Sequence, residues 1–158
     1  MNILILCTGN SARSILGEAL INALGQGRIR GFSAGSAPKG EPHPLALKTL
    51  ESHGHPTEGL RSKSWDVFAG PDAPELDAVI TVCDGAASES CPIWPGAPVK
   101  AHWGLPDPAG IADIARARTA FEATYQALRR RVKALTADPM PDTREALAAR
   151  LEEIEGTL

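Results

Sequence analysis

Short apolar runs alternate with stretches of helical periodicity, and this alternation constrains the fold of the 158-residue chain more than any other feature. The run Asn2–Leu6 (NILIL) has no polar alternation, which is typical of a strand buried on both faces. Further strands are predicted at 28–34, 77–82 and 99–102. Apolar residues recur at helical spacing near residues 15–24, 44–53, 111–135 and 147–154, with a short helix around 64–69, whereas 84–97 is rich in Gly, Pro and Ser and predicts a loop.

This order of elements predicts an α/β protein, a single-domain three-layer sandwich around a central four-stranded parallel sheet. We expect residues 1–138 to form the domain. Residues 139–158 are expected to add a C-terminal helix that is packed on this domain or frayed from it.

Composition excludes several classes of protein. Hydrophobic residues make up 43% and charged residues 22% of the chain, which is typical of a globular domain. The net charge of −3 gives no support to nucleic-acid binding, and no apolar stretch is long enough for a membrane span. Three cysteines without an export signal predict reduced thiols in the cytoplasm.

Three residues whose side chains could take part in catalysis follow the predicted strands. Cys7 follows the first strand, Cys83 follows the third, and Asp107 lies in the turn after the fourth. In open α/β sheets ligands bind beyond the carboxyl ends of the strands. Parallel strands therefore bring these three residues to one edge of the sheet, and adjacent strands are close enough for two terminal cysteines to approach bonding distance.

The first of these connections predicts a pocket for a tetrahedral oxyanion. A loop that leads into a helix N-terminus presents unpaired backbone N–H groups and the positive end of the helix dipole. The same field predicts a lowered pKa for the Cys7 thiol, which makes it a nucleophile, and Ser14 is expected to donate a hydrogen bond to its thiolate. The predicted oxyanion-binding residues are Thr8, Gly9, Asn10, Ser11, Ala12 and Arg13, with Arg13 supplying a bidentate fork.

Asp107 precedes Pro108 and is the candidate general acid. Expulsion of an oxygen leaving group needs a proton, which a carboxyl group held near the loop can supply. An ordinary Asp-Pro turn with no catalytic role is the alternative that the residues themselves leave open.

Four motifs resemble the low-molecular-weight protein tyrosine phosphatase superfamily, and in particular its branch of thioredoxin-coupled arsenate reductases. The motifs are CTGNSARS at 7–14, TVCD at 81–84, CPIWPG at 91–96 and HWGLPDPAG at 102–110. The resemblance covers roughly residues 1–135. Many phosphatases of this superfamily follow the Asp-Pro pair with two tyrosines, whereas Ala109 and Gly110 stand here, so the site is expected to suit a small anion.

The resemblance implies that arsenate is reduced to arsenite by a relay of three thiols. Cys7 attacks arsenate, Cys83 attacks Cys7 as arsenite leaves, and Cys91 then attacks Cys83. Thioredoxin or a similar dithiol reduces the resulting Cys83–Cys91 disulfide. The Cys83–Cys91 spacing is one residue longer than is usual in the family. An inert core thiol at Cys83 and a loop thiol without a role at Cys91 remain alternatives.

The resemblance requires no cofactor, although some arsenate reductases hold a potassium ion beside this loop. The matching oxygen ligands are Asn10, Glu18, Ser33 and Asp66. Two other functions remain open. One is a low-molecular-weight phosphatase acting on phosphotyrosine or small phosphoesters, and the other is an oxyanion-binding or redox-sensing protein that is not an enzyme. Phosphate and sulfate are expected to bind as analogues of arsenate.

Overall fold

The structure, a computed structural model, describes residues 1–83, 85–86, 94 and 96–158. Within them the chain forms a four-stranded sheet in which all neighbouring strands are parallel, in the order β2-β1-β3-β4. The strands are β1 (Asn2–Leu6), β2 (Arg30–Ala34), β3 (Ala78–Thr81) and β4 (Val99–His102). The described helices are α1 (Arg13–Leu24), α2 (Pro44–Ser52), α3 (Ile114–Thr136) and α4 (Arg144–Thr157), with a 3-10 turn at Trp65–Phe68.

This architecture confirms the predicted α/β class with a four-stranded parallel sheet. The second strand begins two residues later than predicted. Arg28 and Ile29 donate their backbone N–H groups to the carbonyl of Gly25, which closes a turn at the end of α1 before the strand can start.

Helices cover the central strand of the sheet. Ile3, Leu4, Ile5 and Leu6 are all fully buried, and consecutive residues of a strand point to opposite faces, so both faces of β1 are covered. Gly17 lets α1 approach closely, because a Cβ at this position would lie 3.3 Å from the side chain of Ile5. At the C-terminal end of the chain, α4 buries Leu147, Leu151 and Ile154 in the same core.

The register of the strands determines which residues meet at the carboxyl edge of the sheet. Leu6 of β1 pairs with Thr81 of β3, and Thr81 pairs with His102 of β4. The chain therefore leaves all three strands at the same level. None of the helices in the described part of the chain is long and apolar enough to span a lipid bilayer.

The predicted loop at 84–97 is wrong at its beginning. Gly85 and Ala86 have helical backbone, and the N–H of Ala86 donates to the Cys83 sulfur at 3.3 Å, so a thiol takes the capping position that an oxygen usually occupies. The Gly- and Ser-rich composition concealed this turn. Cys91, the third cysteine of the predicted relay, lies outside the described residues.

Candidate active site

Residues 7–12 connect β1 to α1, and we call them the anion loop. Three of its carbonyl groups accept hydrogen bonds of 2.8–3.0 Å from backbone N–H groups of the chain that follows β2. In a trans peptide the N–H of the following residue points opposite to the carbonyl, so the N–H groups of residues 9, 10 and 12 point away from residues 37–43. The carbonyl–amide pairs are Thr8 with Ala37, Gly9 with Lys39, and Ser11 with His43.

Gly35 allows the chain after β2 to approach the anion loop this closely. A Cβ at position 35 would lie 2.4 Å from the carbonyl oxygen of Thr8 and 2.7 Å from that of Cys7. Any side chain here would therefore push the loop out of place. The sequence does not distinguish Gly35 from the other turn glycines, because it does not reveal which segment lies behind the loop.

Asn10 braces the anion loop from within. Its side chain is fully buried, accepts a hydrogen bond from the backbone N–H of Lys63 at 2.8 Å and donates one to the hydroxyl of Ser14 at 2.8 Å. Its φ of 45° lies in the left-handed region, which asparagine tolerates better than most residues. The predicted hydrogen bond from Ser14 to Cys7 is absent among the described residues, and the Ser14 hydroxyl instead accepts a hydrogen bond from the Asn10 amide.

Arg13 lies beside the anion loop, and its Nε donor is unpaired among the described residues. Its Nη1 donates to the carbonyl of Leu105 at 2.8 Å, and its Nη2 lies 3.8 Å from the Asp107 carboxylate. The Nε atom is buried and has no hydrogen-bond partner among the described residues. Because an unsatisfied buried donor costs about 1–3 kcal/mol, this atom indicates that an acceptor binds in the cleft.

The cleft itself has a volume of about 220 Å³ and opens above the anion loop. Asp107 stands at its mouth with its side chain half exposed and accepts a hydrogen bond from the N–H of Ala109 at 2.9 Å. Lys39 adds a second positive charge to the cleft, and the sequence does not predict it because Lys39 lies in a Pro- and Gly-rich connection. The predicted oxyanion-binding residues that line the cleft are Thr8, Gly9, Ser11, Ala12 and Arg13, together with Cys7.

Cys7 and Cys83 are both buried, and their side chains hydrogen-bond to each other. Cys83 also lies 3.5 Å from the Thr8 hydroxyl and 3.3 Å from the N–H of Ala86. The hydrogen bond from Cys7, helped by these two donors, lowers the pKa of Cys83 from 9.0 to about 5 in spite of its burial. The two thiols thus share one proton, and the pair carries a thiolate at neutral pH.

The predicted lowering of the Cys7 pKa is wrong for this arrangement. The hydrogen bond to Cys83 and burial raise the pKa of Cys7, and they outweigh the Arg13 charge and the Gly9 N–H, which lower it. The helix N-terminus and Arg13 can be inferred from the sequence, whereas the influence of the second thiol depends on the fold. In this arrangement it is the pKa of Cys83, and not that of Cys7, that is lowered.

The residues proposed for potassium lie behind the loop. Ser33 donates its hydroxyl to the carboxylate of Glu18 at 2.5 Å, and Asn10 lies nearby through its contact with the backbone of Lys63. The Lys63 ammonium lies 3.6 Å from the same carboxylate, and burial lowers its pKa. Asp66 is exposed in the 3-10 turn.

The site thus consists of a buried thiol at the base of an amide-lined cleft with a guanidinium beside it. This arrangement is typical of one class of enzymes. These are enzymes in which a cysteine attacks the central atom of a tetrahedral oxyanion. The sequence profile of the low molecular weight phosphotyrosine protein phosphatase family matches residues 2–150, and the chain belongs to this family.

The relatives include proteins described as arsenate reductases. Arsenate reductase 1 of Staphylococcus epidermidis is 31% identical over 136 residues, which cover 82% of this chain and 96% of that protein. A solved structure of an arsenate reductase in its phosphate-binding state superposes with a TM-score of 0.71 at 28% identity, covering 86% of this chain and 96% of the other. A thioredoxin-dependent arsenate reductase of Corynebacterium glutamicum shares the fold, with a TM-score of 0.56 at 24% identity over 84% of this chain and 61% of its own.

Proposed function

We propose that this chain reduces arsenate to arsenite and that it draws the two electrons from its own thiols. The observation that carries the proposal is the hydrogen bond between Cys7 and Cys83 at the base of the oxyanion cleft. Hydrolysis of a phosphoester through a cysteine intermediate ends with water and needs no second thiol, whereas reduction of arsenic needs one within bonding reach. The arsenate reductases among the relatives support the same conclusion.

The first step forms a bond between Cys7 sulfur and arsenic. Arsenate binds to the N–H groups of the anion loop that point away from residues 37–43. It also binds to Arg13, whose unpaired Nε is one of the donors. As Cys7 attacks, its proton passes along the hydrogen bond to the Cys83 thiolate. One arsenate oxygen leaves as water, with a proton donated by Asp107, and arsenic(V) remains bound to Cys7.

The second step reduces arsenic. Cys83 sulfur attacks Cys7 sulfur, the sulfur–arsenic bond breaks, and its electron pair stays on arsenic, which becomes arsenic(III). The Cys83 proton passes to the departing arsenite, and a Cys7–Cys83 disulfide remains. Cys91 then attacks Cys83, which frees Cys7 and leaves a Cys83–Cys91 disulfide for an external dithiol to reduce.

Thioredoxin is the dithiol that we propose as the partner. A relay that ends in a disulfide consumes reducing equivalents at every turnover, so the chain needs a reducing compartment, and we propose the cytoplasm. The thioredoxin-dependent relative with the same fold supports this partner.

A Cys83→Ser variant tests the proposal in two assays. We expect it to lose arsenate turnover with a thioredoxin system while it keeps any hydrolysis of an aryl phosphate, because only the reduction needs the second thiol. A Cys91→Ser variant serves as the matched control, and it should release one arsenite per chain and then stop as the Cys7–Cys83 disulfide. Sustained arsenate turnover by Cys83→Ser would overturn the relay.

Phosphatase activity is the second candidate, and the family match supports it. Both reactions begin with attack by Cys7 on a tetrahedral oxyanion, so the same cleft serves either. Ala109 lines this cleft where a bulky aromatic side chain would grip a phosphotyrosine ring. We therefore expect small phosphoesters to be hydrolysed slowly and without selectivity for an aromatic group.

A further inference from the structure

Glu18 places a negative charge in the interior behind the anion loop. Its side chain is only 13% exposed, and the Ser33 hydroxyl donates to its carboxylate at 2.5 Å. A carboxylate removed from water needs a hydrogen-bond donor and a compensating positive charge, because burial without them is costly. A single hydroxyl supplies the donor but not the charge.

Lys63 supplies the positive charge. Its ammonium lies 3.6 Å from the Glu18 carboxylate, donates to the carbonyl of Arg61 at 2.9 Å, and belongs to a side chain that is only 15% exposed. One carboxylate oxygen and one carbonyl oxygen thus lie next to a monovalent cation that is covalently part of the chain. Carboxylate and carbonyl oxygens are also the ligand types that hard metal cations prefer.

The four residues proposed for potassium do not fit a free ion in this arrangement. Glu18 is already paired with an ammonium, and its Oε1 accepts the hydrogen bond of Ser33. The side-chain Oδ1 of Asn10 accepts a hydrogen bond from the backbone N–H of Lys63, and Asp66 is exposed to solvent. A potassium ion bound there would lie against the Lys63 ammonium, which repels it.

The backbone of Lys63 connects this ion pair to the oxyanion cleft. Its N–H donates to the side chain of Asn10 at 2.8 Å, and its carbonyl accepts from the N–H of Gly35 at 2.9 Å. Asn10 braces the anion loop from within, and Gly35 supports it from behind. The contact between Glu18 and Lys63 therefore fixes the position of Lys63, whose backbone holds both Asn10 and Gly35.

We infer that the Lys63 ammonium serves as a built-in monovalent cation that holds the anion loop in its binding conformation, so that this chain binds oxyanions without potassium. Lys63 is a positioning residue, since it acts through Asn10 and Gly35 and does not touch the anion. The inference goes beyond the proposed reaction, because it holds for any oxyanion that the loop binds.

The test uses a Lys63→Ala variant of the full chain and two readouts that need no turnover. These are the melting temperature and the affinity for inorganic phosphate, each measured in potassium, sodium, methylammonium and choline chloride at equal ionic strength. In Lys63→Ala we expect a lower melting temperature and phosphate binding weakened by about tenfold or more, as is typical when a supporting partner of a site is lost. Potassium and methylammonium should restore both, because each fills the space of the ammonium, and choline should not.

Several variants make the outcome specific. The parent chain should show the same melting temperature and phosphate affinity in all four salts. Lys63→Arg, which keeps the charge, should also ignore the choice of salt, and Lys100→Ala, which removes an exposed lysine, should behave like the parent chain. Adding Glu18→Gln to Lys63→Ala removes the carboxylate and should abolish the rescue.

Two results would overturn the inference. One is a parent chain whose phosphate affinity rises with potassium but not with sodium or choline, and this comparison needs no variant to fold. The other is a folded Lys63→Ala variant that binds phosphate equally well in all salts. Neither result bears on whether Cys83 acts in arsenate reduction, so the two proposals fail separately.

Discussion

Cys7 and Cys83 leave the neighbouring strands β1 and β3 at the same edge of the sheet, and their thiols hydrogen-bond directly to each other. Because each sulfur is the other's partner, the two groups titrate as a pair. One proton leaves the pair easily and the second is held much more strongly. The pairing therefore places beside Cys7 a thiolate that can take up the Cys7 proton, and the same sulfur is the second thiol that arsenate reduction requires.

The titration of this pair gives a first prediction. In a Cys91→Ser background, absorbance at the thiolate wavelength should show one thiolate appearing with a midpoint near pH 5, the lowered pKa of Cys83, far below the ordinary 9.0. Cys7→Ala removes the donor that contributes most to the lowering, so the midpoint should move up. An unchanged midpoint in Cys7→Ala would show that the Thr8 and Ala86 donors suffice.

Asp107→Asn separates proton donation from binding. The amide cannot protonate a leaving oxygen, so hydrolysis of aryl phosphates should slow by about 10²- to 10⁴-fold, most of all for poor leaving groups. Phosphate should bind at least as tightly, because the variant removes a carboxylate 3.8 Å from the Arg13 guanidinium. Steady-state kinetics and calorimetry measure the two effects, and Asp142→Asn, at an exposed position, is the control. Equal loss for good and poor leaving groups would contradict the role of general acid.

Gly35→Ala tests the support behind the anion loop. The added Cβ would lie 2.4 Å from the carbonyl of Thr8, so the loop must move and phosphate affinity should fall by about tenfold or more. Gly70→Ala is the matched control, since a Cβ there meets nothing within 4 Å. Calorimetric titration with phosphate compares the two variants. Equal affinities would mean that the anion loop can move without loss of phosphate binding.

His43→Asn probes the pH dependence of stability. The His43 Nδ1 accepts the N–H of Leu45 and caps α2, and burial, assisted by the Lys39 charge, lowers the pKa of His43 below 6.5. The unfolded chain therefore takes up this proton first, and the free energy of unfolding should decrease as pH falls below 6.5. Asparagine keeps a capping oxygen that does not titrate.

Urea unfolding of the parent chain and of His43→Asn, measured above and below pH 6.5, checks this prediction. The variant should lose less stability on acidification than the parent chain. Parallel losses would show that the His43 ring accepts a proton without giving up its cap.

The fold and the meeting of the two cysteines could be predicted because both depend on local pattern and on strand order. The uninterrupted apolar run of β1 predicts a strand buried on both faces, and parallel strands bring their carboxyl ends to one edge. The residues behind the anion loop could not be predicted in this way. Gly35, Lys39 and Lys63 act through contacts with residues distant in the sequence, and their surroundings show only turn-forming composition.

The errors at Cys7 and Ser14 have a common cause. The sequence suggests partners only from the immediate neighbourhood, the helix N-terminus and Arg13 for Cys7 and the thiolate for Ser14. The folded chain adds Cys83 as the main influence on the pKa of Cys7, and it places the Asn10 amide 2.8 Å from the Ser14 hydroxyl as a hydrogen-bond donor. Competition among several buried polar groups is decided by geometry, which the sequence does not reveal.

The segment from Ala37 to His43 fastens the anion loop from outside by three backbone hydrogen bonds. An incoming oxyanion thus meets donors that are already oriented, and it spends none of its binding free energy on ordering the chain. Selection of the ligand then depends on its size, charge and tetrahedral shape. Substitutions that loosen residues 37–43 should therefore weaken capture of every oxyanion to the same extent, leaving preference among them intact.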